Sequence, residues 1–160
     1  MSLLSVLVFL HVAAAFLFVA GLLGRNILLW QARRSDDIDR VGSLLQASGP
    51  FERVLVIPFS IAVPIFGILA WWEEGLPFWG EDTRWVTVSL VLFATMIPLV
   101  PLIFLPRGKV FEAAYTRAVE ARQVTPELTA AFRDPVVGAA HTYELVIVTI
   151  VLLLMVTKPF

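Results

Sequence analysis

Long apolar runs divide the chain, and the polar stretches between them recur with helical spacing. From Leu3 to about Gly24 no charge interrupts the first run, and the helix it predicts continues through Arg25, Asn26 and Trp30 to Ala32. Further apolar runs cover residues 53–72, 85–105 and 136–156. About 20 apolar residues in a helix cross the hydrocarbon core of a bilayer, so each run predicts a span. Ser35-Asp36-Asp37 reads as a cap and an acidic first turn. Ile38, Val41, Leu44 and Leu45 then predict a short amphipathic helix that Ser48-Gly49-Pro50 should stop. Pro58 and Pro64 predict a kink in the second span, and Pro98, Pro101 and Pro106 crowd the end of the third. An amphipathic helix is expected over Lys109–Gln123, with fresh starts at Thr125-Pro126-Glu127 and Asp134-Pro135. The expected fold is all-α: one membrane domain over residues 1–160, a four-helix bundle with short cytoplasmic helical extensions.

Composition agrees with that placement. Hydrophobic residues make up 59% of the chain, against about 45–50% in soluble domains, and mean hydropathy is +0.86. The formal net charge of −1 gives no general attraction to nucleic acid. With no cysteine, disulfides, thiolate metal sites, iron–sulfur clusters and covalently attached haem are excluded. The first run starts at Leu3 without a basic leader, and it reads as a retained helix rather than a cleaved signal peptide. Of the 12 Lys and Arg residues, all but Arg84 and Lys158 fall on one side of the expected spans. That asymmetry predicts a cytoplasmic location for the 33–52 and 107–135 segments and places both termini outside. In the opposite loop, WWEEGLPFWGEDTRW, the residues Trp71, Trp72, Trp79 and Trp85 are expected at the headgroup level as an aromatic belt.

Candidate chemistry lies in the few polar groups inside the spans. On the first helix, His11 shares a stripe with Ala14, Ala15, Phe18, Leu22, Arg25 and Leu29. Ionisable groups in a span face the interior and mark function by default. The alternative is an interhelical hydrogen bond, and both readings of His11 stay open on the sequence. In the last span Gly138, His141, Glu144 and Leu145 share a face, and Glu144 is the expected partner of Arg25 in a buried ion pair. Glu52 and Arg53 start the second span at a similar level, which predicts a polar cluster of Arg25, Glu52, Arg53, His141 and Glu144. His11 and His141 differ in expected depth by about 13 Å, too far for both to grip one haem iron at the same level. Met96 and Met155 are soft axial candidates. No nucleophile motif, HExxH, phosphate-binding glycine loop or catalytic carboxylate pair is present.

The stretches LHVAAAFLFVAGLLGRNILLWQARR and VLLLMVTKPF resemble an uncharacterised family of bacterial four-helix integral membrane proteins, described only as a domain of unknown function. More distantly, His11 with Gly21 ten positions on resembles the first helix of haem-containing membrane protoporphyrinogen oxidases and the copper-resistance D membrane domain. The oxidases' tryptophan between histidine and glycine has no counterpart here, and Phe18 supplies the aromatic ring.

That resemblance implies non-covalent b-type haem in the bundle, for electron transfer or a porphyrin-related role. His11 would be the axial ligand, His141 a second candidate, and Arg25 and Arg53 candidates for the propionates. A second expectation is a non-catalytic accessory or scaffold subunit with a membrane protein partner or a second copy of itself, its polar residues acting as interhelical glue. A third is a small proton-coupled transporter titrating at Glu144. All three place the chain in the lipid bilayer of the bacterial inner membrane.

Overall fold

The computed structural model describes residues 2–77, 80 and 83–159. Its regular elements are helices, and no strand occurs among the described residues. Helix α1 spans Leu3–Ala32, α2 Ile38–Pro50, α3 Ile57–Glu74, α4 Arg84–Ala94, α5 Leu105–Glu120, α6 Pro126–Phe132 and α7 Pro135–Thr157. Two π-helical segments, Phe51–Val56 and Val100–Phe104, join α2 to α3 and lead into α5.

Local chemistry accounts for the boundaries. Ser2 caps α1 by accepting from the Ser5 N–H. Asp37 caps α2, Thr125 caps α6 and Asp134 caps α7, each through a side-chain oxygen that accepts from backbone N–H groups of the first turn. Gly75 ends α3 in the left-handed region at φ 72°.

Two boundaries differ from expectation. Pro50 does not stop α2. The chain stays helical through it, and Ile38–Glu74 forms one helical path through the Phe51–Val56 π segment. A proline ring clashes with the carbonyl four residues earlier and leaves it without a donor. Both π segments lie just upstream of such a ring. The Ile57 N–H reaches back five residues to Glu52 before Pro58, and the Leu105 N–H reaches back five to Val100 before Pro106. The wider turn makes room for the ring and keeps the helix going.

The third expected span is interrupted. Helix α4 ends at Ala94, and Thr95–Pro98 form turns before the Val100–Phe104 segment. Pro98 and Pro101 remove two donors within four residues of each other, more than one wider turn absorbs. Among the described residues, three helical stretches are long and apolar enough to cross a membrane: Leu3–Ala32, Ile38–Glu74 and Pro126–Thr157. Arg84–Ala94 is a shorter apolar helix.

Helix α1 packs along α3 and the first π segment, and α4 packs along α7. At Gly21 a Cβ would fall 2.7 Å from the Leu55 Cβ, so only glycine permits this approach of α1 to the π segment. Ala14, Phe18 and Leu22 of α1 share one buried cluster with Val56, Val63, Met96, Ile147 and Val148. Phe18 meets Phe93 at 5.8 Å between ring centroids. Met96 therefore packs as a core residue. Large apolar side chains such as Phe9, Phe16, Leu102 and Leu153 point outward, as lipid-facing positions do. A second small core, built on Val41, Ala118 and Leu128, ties α2, α5 and α6 together on the arginine-rich side.

The aromatic residues of the opposite loop divide. Trp71 turns inward at 5% exposure, whereas Trp72 is 77% exposed. Lys158 lies over the Trp85 ring at 5.0 Å, and Trp79 lies outside the described residues.

Candidate functional site

Two polar sites occupy the buried stripe of α1, 14 positions apart, or about 21 Å along the axis. Arg25 is 7% exposed. Its Nη1 donates to Glu52 Oε2 at 2.6 Å, and its Nη2 donates to Glu144 Oε2 at 2.7 Å. One guanidinium thus joins α1 to the first π segment and to α7. His141 Nδ1 lies 3.1 Å from Arg25 Nη2 and 3.1 Å from Glu144 Oε2. Arginine only donates and a carboxylate only accepts. The two contacts therefore require opposite states of Nδ1, a lone pair toward Arg25 or an N–H toward Glu144, and the ring makes one at a time. Phe104 stacks on the same imidazole at 4.8 Å and 22°. Among the described residues, the buried Arg25 Nε has no hydrogen-bond partner.

Glu144 is a turn beyond His141 on α7, so both face Arg25 from one side. Glu52 faces it from the other side with its side chain 38% exposed. Arg53 is exposed and takes no part in the cluster. On a helical path adjacent residues point roughly 100° apart, so turning Glu52 inward turns Arg53 away.

His11 is half-buried, and its Nδ1 donates to the Val63 carbonyl of α3 at 2.9 Å. A carbonyl only accepts, so Nδ1 carries the proton and Nε2 the lone pair of the neutral ring. The ring rests on Gly67, where a Cβ would fall 2.9 Å from its Cε1. Nothing in the sequence pattern announces Val63 as the partner, because the acceptor is backbone.

A haem at His11 was the expectation, and the donor set and the space give different answers. A histidine whose second nitrogen donates to a backbone carbonyl is a well-oriented ligand. One cavity lies beside the Arg25 cluster and another between α2 and α5, and His11 lines neither. Arg25 has both terminal nitrogens engaged by carboxylates and lies too far down the helix to meet propionates at His11. Among the described residues, no group of three or more His, Cys, Asp or Glu side chains converges as a metal site. At His11 the residues supply a ligand atom, and the ring is packed against Gly67.

The larger cavity, about 520 Å³, opens on the arginine-rich side beside the Arg25 cluster. Helices α1, α5, α6 and α7 and Phe104 form its walls, and His141 is common to the cavity and the cluster.

A family model described as "Predicted integral membrane protein (DUF2269)" matches residues 5–159. No curated protein and no solved structure matches the chain.

Proposed function

The chain belongs to the DUF2269 family of predicted integral membrane proteins, and from that premise we propose that it serves as a non-catalytic membrane scaffold or accessory subunit. In this reading its spans form a four-helix bundle in the bacterial inner membrane, with both termini outside. One observation carries the proposal: Arg25 reaches carboxylates on two other elements at 2.6 and 2.7 Å. His11 likewise reaches across to α3. In a bilayer, apolar packing alone does not hold helices together, and polar groups that cross between them act as fasteners. The outward-facing apolar surfaces are then free to meet lipid, a membrane protein partner or a second copy.

A haem reading keeps one specific observation in its favour, the tautomer of His11, which leaves Nε2 as the lone-pair nitrogen. It requires α1 and α3 to part at Gly67. The reduced-minus-oxidised visible spectrum of protein purified from haem-sufficient cells separates the two readings. The scaffold reading expects no Soret or α band, and it expects His11→Ala to alter stability alone. Bands that disappear with His11→Ala would replace it with a b-type cytochrome.

A further inference from the structure

We propose that the 520 Å³ cavity on the arginine-rich side is a binding site for one anionic phospholipid of that leaflet. Arg33 and Arg107 hold the phosphate, and the acyl region lies along Leu29, Phe104 and Leu145.

The site's polar and apolar ends are separate. Arg33 directly follows the last residue of α1, and Arg107 lies in the first turn of α5. Both are exposed cations at the place where these helices leave the apolar zone. Asp134, at the start of α7, pairs with Arg107 and lines the same cavity. The three charged groups thus sum to one net positive charge at the mouth. Deeper, Leu29, Phe104 and Leu145 are apolar. Trp30, on the wall, is covered by the Arg34 guanidinium at 3.8 Å, an arrangement suited to the headgroup level. Basic pockets between membrane helices on the cytoplasmic side bind anionic headgroups.

A second observation concerns space. Gly108 and Gly138 both line the cavity, and a Cβ added at either would meet nothing within 4 Å. Both lie within helices, where glycine is less favourable than alanine. Neither is required by a close helix approach or a positive φ. Glycine at both positions leaves that wall of the chamber bare.

The test uses full-length protein in detergent, titrated with phosphatidylglycerol or phosphatidylcholine and read by native mass spectrometry. The expected result is a single phosphatidylglycerol retained in preference to phosphatidylcholine. Arg33→Gln and Arg107→Gln should each weaken retention about fivefold, matching the roughly 1 kcal/mol that a basic residue contributes at an anionic surface. Arg40→Gln, on the same side but outside the cavity, should leave it unchanged. Gly138→Leu fills the chamber with every charge in place and should abolish retention; leucine favours the helix, so folding is kept. Should Arg107→Gln unsettle the protein through Asp134, Arg33→Gln still carries the charge test. Equal retention of the two lipids, an equal loss in Arg40→Gln, displacement by inorganic phosphate, or unaltered binding in Gly138→Leu would each overturn the proposal.

Discussion

The two polar sites of α1 lie on one stripe of one helix, yet they are built differently. Among the described residues His11 has a single hydrogen-bond partner, a backbone carbonyl on the adjacent helix α3. Arg25 has carboxylate partners on two other elements, one of them α7, distant in sequence. An imidazole N–H can be satisfied by whatever backbone carbonyl lies closest. A buried cation cannot, because its desolvation is offset only by opposite charge in good geometry. The lower end of α1 is therefore fixed by a charge network, and the upper end by close packing against Gly67 with one hydrogen bond.

The contrast predicts a gradient of mutational cost, measurable by reversible unfolding in mixed detergent micelles. Arg25→Met should have the largest effect, about 3 kcal/mol, because Glu144 is left buried without its cation. Glu144→Gln should cost about 1.5 kcal/mol, since Arg25 keeps Glu52 and the amide oxygen still accepts. A loss equal to that of Arg25→Met would mean that Glu52 contributes nothing. Gly67→Ala should cost about 1 kcal/mol by pressing on the His11 ring. It should cost less in a His11→Ala background, and additivity of the two changes would show that the ring does not touch Gly67. Arg53→Gln should lie within about 0.5 kcal/mol of the parent, as an exposed position does. A larger loss would bring Arg53 back into the cluster.

Much of the lower site was readable in the sequence. Helical spacing put Arg25 on the stripe, and depth from the shared interface matched it with Glu144 and His141. Arg53 departs from that pattern: spacing does not say which of two adjacent residues faces inward, and the π segment at Phe51–Val56 resets the phase. Pro50, which reads locally as a stop, lies inside the continuous helical path Ile38–Glu74. The turns at Thr95–Pro98 arise from the joint effect of Pro98 and Pro101 rather than from a terminal cluster. The membrane character was plain in composition, and the matching family has the same description. The cavity left no local signal, since its walls come from separate helices and its openness depends on glycines that look ordinary in sequence.

The most direct test of the fastening role is a double-mutant cycle on Arg25→Met and Glu144→Gln, read by unfolding in micelles. The account predicts a coupling of at least about 1 kcal/mol, with the double variant more stable than the sum of the single losses implies. Additive losses would contradict it, leaving Arg25 without a privileged partner on α7.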